Sequence, residues 1–397
     1  MTRTVIVTDG EQRAALAVVR SLGAAGYRCI VTSSSRRSIA AGSRFVARTV
    51  TVPNALARPA EFADAIVALV AAERANIVLP IAEQSLLAIL PAAERLAPAI
   101  VPFPDLASFR ALTDKERLLE EASNLGIAIP AQEIVRDVEA FGSLDLSTLR
   151  YPIVIKPART VGERAGVRAK FSVTYASDAS ALQRKVSGLP PAAFPLLLQQ
   201  RVIGPGVGIF LLLWDGEVKA QFAHERLCEK PPSGGESVYR ESVSLDEALR
   251  DKSRALLEHF GWRGVAMVEY KRDAKTGQPY LMEVNGRFWG SLQLAIDSGV
   301  DFPRILVACA LGEKVDHVPS YRVGVRSRWW WGQVDHLVGR VRRSASAEPL
   351  PANTRSARRA LGDLLLAPLR RADYEEVLRW TDPGPFWNET IRWMGGR

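Results

Sequence analysis

The sequence predicts a mixed α/β and α+β protein with more than one domain. Over residues 4–104, short apolar strands alternate with helical patterns, which is typical of a parallel sheet with helices on both faces. Residues 262–291 read instead as two apolar strands joined by turn residues, which predicts an antiparallel hairpin. A chain of 397 residues is long enough to form about two or three domains.

The composition, 47% hydrophobic and 24% charged, predicts a soluble globular protein. No apolar run approaches the roughly 18 residues of a membrane span, and the N-terminus reads as a first strand, so we expect a cytoplasmic location. Cys29, Cys228 and Cys309 lie far apart without ligand spacing, so we expect reduced thiols. Metalloprotease and hydrolase spacings are absent from the four histidines, at positions 224, 259, 317 and 336.

The N-terminal region runs TVIVT, a helix over about 11–25, CIVT, VTVP, a helix over about 59–74, NIVLPI, a helix near 84–96, and IVPF. Its first strand–helix turn, TDGEQRAAL, has no GxGxxG, which argues against a dinucleotide site. Ligands of parallel sheets bind at the carboxyl ends of strands, so Asp9, residues 33–35 and Glu83 are candidate contacts. Helix capping would explain each of them as well.

A further helix is predicted to begin at Thr113, in a capping box with Glu116, and to end at Gly126. Lys115 in its first turn opposes the helix dipole unless an anion lies nearby.

The run IVIK brings Lys156 to the end of a strand, and the loop 158–170 that follows carries Gly162 and Gly166. Such a loop can cover phosphates with backbone N–H groups while the lysine supplies charge. An ordinary basic hairpin loop fits the same residues equally well.

Residues 195–227 are predicted to form three strands with turns at 204–206 and 215–216. A helix over about 245–260 comes later. His224 and Arg226 lie two apart near the end of the third strand, so they share a face. They could act as a base and an anion clamp, or form a structural pair that faces solvent.

Two acids and an amide converge in the 262–291 hairpin. Glu269 lies near the end of the first strand, and Glu283 and Asn285 lie two apart on the second. Oxygen ligands of this kind suit Mg²⁺ carried by nucleotide phosphates, and Arg287 could bind a phosphoryl or carboxylate oxygen. The alternative is an exposed hairpin whose acids pair with nearby Lys and Arg side chains.

The tail carries much of the net charge of +9. From residue 320 onward there are 14 Arg, no Lys and 8 acids, a net +6, together with six of the nine Trp. An anionic partner is one interpretation, and a solvated helical appendage is the other. The segments 329–343 and 355–371 are predicted to be helical, with the linker SASAEPLPANT between them and a turn and short helix after them.

Lys115, IVIK, the glycine-bearing loop, LLLQQRVIG, and VEY followed by EVNGR together resemble the ATP-grasp superfamily, in its carbamoyl phosphate synthetase and biotin carboxylase branch. The stretch FAHERLCEKPPSGGES looks like uncharacterised carboxylate-amine ligases of that branch. The resemblance implies an N-terminal Rossmann-like domain (1–108), an ATP-grasp domain (109–316) with a small lid at about 130–200, and a basic extension (317–397).

The resemblance also implies ATP and Mg²⁺, with Mn²⁺ as a substitute, and a reaction that joins a small-molecule carboxylate to an amine through an acyl phosphate. The implied nucleotide contacts are Lys115, Lys156, Gly162, Gly166, Gln199, Gln200, Arg201 and Val202. The implied metal ligands are Glu269, Glu283 and Asn285. The catalytic candidates are Arg287, Arg226 and His224.

The chain departs from the family pattern at two places. Its phosphate loop has only two glycines, and Gly206 and Val207 stand where many relatives place a carboxylate for the ribose.

Alternatives are an ATP-dependent carboxylase and a nucleotide-binding protein with degenerate catalysis that docks on an anionic surface. A homodimer is the default assembly, and membrane or polyanion contact would involve the tail. Sequence-specific nucleic-acid binding is not expected, because no motif for it occurs.

Overall fold

The computed structural model describes residues 2–164, 166–232, 234–315, 320–342, 356–365 and 373–395. His317 and the linker 344–354 lie outside these residues. Among the described helices, none combines the length and the apolar composition that a membrane span requires.

The N-terminal region contains a four-stranded parallel sheet in the order β3-β2-β1-β4, as predicted. Val5 and Val7 of the first strand pack in one core with the first helix, and Ile6 packs in a second core with the second helix, so helices cover both faces. The elements are β1 (Thr4–Val7), α1 (Arg13–Ala24), β2 (Arg28–Ser33), β3 (Val46–Thr51), α2 (Pro59–Glu73), β4 (Ile77–Leu79) and α3 (Glu83–Ile89).

Two predictions for the following segment are wrong. The run IVPF forms no strand, because Ile100 makes only an isolated bridge to Ile77. The predicted Thr113 cap is also incorrect, since Thr113 ends the unpredicted helix α4 (Leu106–Thr113), and the side chain of Asp114 caps α5 (Lys115–Asn124). The predicted end of this helix is confirmed, with Gly126 at positive φ.

The segment 130–200, called the lid here after the resemblance, contains an antiparallel sheet in the order β5-β10-β6-β9, with a separate hairpin of β7 and β8. Its core contains Ile153, Ile155, Leu196 and Leu198, which alternate along two paired strands. The elements are β5 (Gln132–Val135), α6 (Val138–Gly142), β6 (Ile153–Pro157), β7 (Val161–Arg164), β8 (Val167–Lys170), β9 (Thr174–Ala176), α7 (Ala179–Ser187) and β10 (Leu196–Gln200).

The largest sheet has seven strands in the order β15-β14-β11-β12-β13-β16-β17. Every residue of β11 (Gly206–Trp214), the third strand in this order, is buried. The predicted turn at 215–216, the strands on either side of it and the 262–291 hairpin are confirmed in this sheet, whereas the first strand predicted within 195–227 is β10 of the lid sheet. Its elements are β11 (Gly206–Trp214), β12 (Glu217–Lys230), β13 (Glu236–Ser242), α8 (Glu247–His259), β14 (Gly264–Arg272), β15 (Pro279–Asn285), α9 (Leu292–Ser298), α10 (Phe302–Ala310), β16 (Arg326–Arg328) and β17 (Asp373–Glu375).

The described part of the tail packs on the core. Its helices are α11 (Trp330–Val341), α12 (Ala357–Leu365) and α13 (Gly384–Gly395), and its two strands extend the large sheet. Buried ion pairs join Glu376 to both Arg13 and Arg240, and Asp382 to Arg20. The interpretation as a solvated appendage is therefore wrong for the described residues, which pack on the core.

Candidate active site

A cavity of about 610 Å³ lies between the lid and the large sheet, and residues of α1 also reach it. Its wall carries six cationic side chains and three carboxylates, so it is suited to a polyanionic ligand. The charged lining residues are Arg13, Lys156, Lys170, Arg226, Lys271, Arg287, Glu236, Glu269 and Glu283.

The predicted acids of the hairpin face each other across its two strands. Glu269 pairs directly with Glu283, and both project into the cavity. Asn285 donates to Glu283 at 3.2 Å and accepts from Arg287 at 2.8 Å. The alternative of an exposed hairpin is wrong, because Glu269 is only 8% exposed.

The two carboxylates differ electrostatically. Burial raises the pKa of Glu269, although Arg226 opposes the shift, and the neighbouring charge of Glu283 adds to it. Burial also acts to raise the pKa of Glu283, but the charges of Lys115 and Lys156 outweigh it, so this pKa is lowered. A further cation beside Glu269 would therefore be stabilising.

These oxygens fit Mg²⁺ bound together with nucleotide phosphates. Mg²⁺ commonly takes one or two protein carboxylates and completes its shell with phosphate oxygens and water. The described residues contain no group of three or more His, Cys, Asp or Glu suited to a metal ion.

Lys115 and Lys156 approach the acids from two different elements. The Nζ atom of Lys115 lies 3.7 Å from a carboxylate oxygen of Glu283 and donates to Thr160 at 3.2 Å. Lys156 projects from β6, where burial lowers its pKa to about 8 and the charge of Glu283 opposes the shift. A buried lysine of this kind gains from an anion in the cavity.

His224 and Arg226 both lie on the cavity wall. His224 is 1% exposed, its Nδ1 is 3.4 Å from the hydroxyl of Ser291, and its Nε2 has no hydrogen-bond partner in the described structure. Burial lowers the pKa of His224 well below its usual value, so the ring is neutral. The interpretation as a solvent-facing pair is wrong.

Of the eight predicted nucleotide contacts, Lys156 lines this cavity, and Lys115 lines a small pocket that shares Glu283, Asn285 and Arg287 with it. The other six line neither: Gly162, Gly166, Gln199, Gln200, Arg201 and Val202. Gln199 is buried within the lid sheet, where it donates to Gln132 at 2.6 Å. At Gly162 a side chain would meet the carbonyl oxygen of Ala192 at 2.3 Å, which gives this glycine a packing role. A nucleotide role for these six residues stays a prediction.

The candidates of the N-terminal sheet lie elsewhere. Asp9 accepts from Ser85 at 2.6 Å and from the backbone at the start of α3, so it acts as a cap. With Ser33 and Ser34 it lines a separate cavity of about 160 Å³. Glu83 instead lies in a small pocket with Lys115, Glu283 and Arg287.

Sequence reasoning missed several residues on the cavity wall. Lys271 follows Glu269 by two positions, so strand periodicity could have indicated it. Arg13 gave no local signal, because its partners Glu236 and Glu376 lie more than 200 residues away in the chain. Trp289 and Ser291 follow Arg287 but have no motif of their own.

A parallel N-terminal sheet followed by two antiparallel lobes, with a cation-rich cavity and paired acids between them, is the ATP-grasp architecture. The predicted resemblance to this superfamily is confirmed. Residues 194–332 match the family model described as ATP-grasp in the biosynthetic pathway with Ter operon.

Curated and solved relatives agree with this fold. The large chain of carbamoyl phosphate synthase from Thermus thermophilus is 23% identical over 363 residues, which are 87% of this chain and 33% of that protein. The chain thus spans about one third of the length of the curated relatives it matches. The biotin carboxylase domain of Hydrogenobacter thermophilus 2-oxoglutarate carboxylase, solved as a dimer with MgADP and bicarbonate, is 17% identical, with a TM-score of 0.63 over 82% of this chain and 73% of that one.

A ligase for amino acids also has this fold. The L-amino acid ligase of Bacillus licheniformis is 18% identical, with a TM-score of 0.60 over 78% of this chain and 74% of that one. For N5-carboxyaminoimidazole synthetase of Staphylococcus aureus the identity is 12% and the TM-score 0.61, with 82% of each chain covered.

Proposed function

We propose that the chain is an ATP-dependent, Mg²⁺-requiring ligase that activates a carboxylate as an acyl phosphate, joins it to an amine, and releases ADP and phosphate. The observation that carries the proposal is the facing pair of Glu269 and Glu283, with Lys115, Lys156 and Arg226 around it. The cationic side chains there could bind the phosphate oxygens of a triphosphate, and the carboxylates could bind the metal ion that it carries.

On the nucleotide side, Lys115 and Lys156 would hold phosphate oxygens, and Glu269, Glu283 and Asn285 would hold Mg²⁺. When bound, the metal would neutralise phosphate charge and favour transfer of the terminal phosphoryl group. Contacts of residues 199–202 with adenine, and closure of the 158–170 hairpin over the nucleotide, are part of the same proposal.

On the substrate side, Arg287 is the first candidate to hold the carboxylate or the acyl phosphate. Its guanidinium donates to Asn285 at 2.8 Å and to the carbonyl of Phe288 at 3.0 Å, which fixes its plane at the cavity wall. A planar, fixed guanidinium suits an oxygen pair that gains charge during the reaction.

His224 would serve the incoming amine. A neutral ring can accept a hydrogen bond from an amine that is itself neutral and nucleophilic, and a shift of the cavity wall would expose its buried, unpartnered Nε2 to that amine. Because the ring resists protonation, we assign it to orienting the amine in preference to storing a proton. Arg226, tied to Glu269 and Glu229, would keep its position beside the transferred phosphoryl group.

Carboxylation is the second candidate, and the relatives that handle bicarbonate or make N5-carboxyaminoimidazole compounds favour it. A binding protein without catalysis has less support, because two opposed carboxylates, an amide and Arg287 exceed what nucleotide binding alone needs. The division into domains at 1–108, 109–316 and 317–397 and a homodimer, the state in which the Hydrogenobacter domain was solved, belong to the same proposal.

The test is ADP release from ATP and Mg²⁺ in the presence of pooled carboxylates and amines. Release that needs both a carboxylate and an amine supports the ligase, and ¹⁸O passing from that carboxylate into phosphate would establish the acyl phosphate. Release that needs bicarbonate selects the carboxylase instead. Mg²⁺-dependent ATP binding without release in any pool would contradict both enzymes.

A further inference from the structure

The last helix carries an apolar stripe that points away from the protein. Trp387, Ile391 and Met394 of α13 are 61%, 46% and 58% exposed, and their spacing of four and three residues places them on one face. Trp380, in the turn before this helix, is 90% exposed. On an ordinary protein surface, exposed apolar side chains are scattered singly, whereas these four large ones lie within fifteen residues of one another in the chain.

The inner side of this helix packs on the rest of the protein, where Glu389 and Thr390 accept from the indole N–H groups of Trp329 and Trp331, and two other residues fix the helix to the N-terminal region. Asn388 donates to the carbonyl of Ser38 at 3.0 Å, and Gly384 packs against Gly42 so closely that a side chain at Gly42 would lie 2.7 Å from its backbone. Glu389 and Thr390 are buried on this inner side. The outward stripe therefore belongs to a helix whose position is set by packing.

The turn that carries Trp380 is fixed as well. Arg20 donates to Asp382 at 2.8 Å and to the carbonyl of Val377 at 2.8 Å, on either side of that turn. Arg379, next to Trp380, pairs with Asp297. These contacts hold the turn in place, with the indole ring of Trp380 exposed to solvent.

The surroundings of the stripe are cationic. The segments 36–44 and 379–395, which meet at these contacts, contain only two acids, Asp382 and Glu389, and both are buried. Four exposed arginines lie in the same two segments: Arg36, Arg37, Arg44 and Arg392. An apolar stripe among arginines with no exposed acid is complementary to an anionic surface that also accepts apolar side chains.

We propose that this face, defined as the stripe with Trp380 and the four arginines, docks the protein on the headgroup region of an anionic lipid bilayer. Indole rings are favoured at the boundary between headgroups and acyl chains, and arginines gain from the negative surface potential. The docking is peripheral. It does not depend on the proposed ligase activity.

The test is sedimentation of the full chain with vesicles of phosphatidylcholine alone and of phosphatidylcholine mixed with phosphatidylserine. We expect binding to the mixed vesicles that weakens as salt is added, because surface charges are screened. The double variant Arg36→Gln with Arg37→Gln should bind about 30-fold more weakly, the factor that two arginines at about 1 kcal/mol each provide near such a surface. Trp387→Ser with Ile391→Ser should lose binding and leave the melting temperature unchanged.

Matched controls lie on other elements. Leu125→Ser with Val138→Ser removes comparable exposed apolar side chains, and Lys252→Gln with Lys275→Gln removes two exposed charges. Both controls should bind as the wild type does. Equal binding to both kinds of vesicle, or none to either, would overturn the proposal. So would heparin-sensitive binding that the apolar variant retains, or a stripe that mediates only self-association.

Discussion

Arg226 on β12 contacts Glu269 on β14 across the strand that separates them, β11. Two strand spacings amount to roughly 10 Å, so the arginine must extend over the intervening backbone. Gly208 of β11 pairs with Glu269 on one side and with His224 on the other. Gly206 pairs with Lys271, and the side chain of Arg226 passes close to it. Gly206 therefore leaves the space that the arginine side chain occupies on its way to the acid.

Gly206→Ala tests this relationship. A side chain at this position would lie 2.8 Å from Cδ of Arg226 and would displace its guanidinium. We expect substrate-stimulated ADP release to fall on the order of tenfold to hundredfold, since small misplacements at a reacting centre have effects of this size. Gly142→Ala is the control, because nothing lies within 4 Å of a side chain there. Equal ADP release by Gly206→Ala and Gly142→Ala would show that the position of Arg226 does not affect the reaction.

Lys156 makes nucleotide binding depend on pH. Its pKa of about 8 means that the free protein loses this charge as the pH rises above 8, so ATP must then bind together with a proton. We expect ATP affinity to fall roughly tenfold between about pH 7.5 and 9.5, and Lys156→Arg to remove most of the fall, because arginine stays charged. Calorimetric titration of the wild type and of Lys156→Arg with ATP, at each pH, measures the two affinities. Parallel pH profiles would show that Lys156 does not meet the phosphates.

The same lysine has an opposite effect on folding. The unfolded chain binds more protons than the folded chain between the folded pKa of about 8 and the ordinary value of 10.5. The contribution of Lys156 to stability therefore rises with pH across this window, because the cost of burying its charge disappears. Urea unfolding of the wild type minus that of Lys156→Met isolates the contribution. A difference that is constant with pH would contradict the lowered pKa.

Glu376 ties the tail to the core. It is 2% exposed and pairs with both Arg13 and Arg240, so its neutral analogue would leave two buried guanidinium groups with reduced compensation. We expect Glu376→Gln to lower the free energy of unfolding by about 3–5 kcal/mol. Glu258→Gln breaks an exposed pair with Arg254 and should cost less than about 0.5 kcal/mol. Similar urea midpoints for the two variants would argue against a buried network.

Sequence patterns predicted the strands and the acids well, because period-two alternation is a local property. Glu269, Glu283 and Asn285 meet as expected, since β14 and β15 are neighbours in both the chain and the sheet. The helix cap failed for a local reason, because Asp114 competes with Thr113 for the same N–H groups.

Contacts between segments that are distant in the chain produce no periodic pattern in the sequence. Arg13 reaches the cavity only because Glu236 and the tail residue Glu376 hold it, and no periodicity links these three positions. The arginines of the tail read as solvated for the same reason. Arg328 is one example, since its partner Asp373 comes 45 residues later, on β17. The sequence places Gly206 in a turn, where many relatives have a carboxylate for the ribose, and its closeness to Arg226 emerges only from the folded structure.

In the proposed function, Glu283 and its neighbours bind a metal-bound nucleotide and activate a carboxylate. The most direct measurement compares substrate-stimulated, Mg²⁺-dependent ADP release by the wild type and by Glu283→Gln, with Glu258→Gln as the control. We predict that release collapses at least a hundredfold in Glu283→Gln, because an oxygen charge opposite Glu269 is lost, and is unchanged in the control. Undiminished release by folded Glu283→Gln would contradict the account.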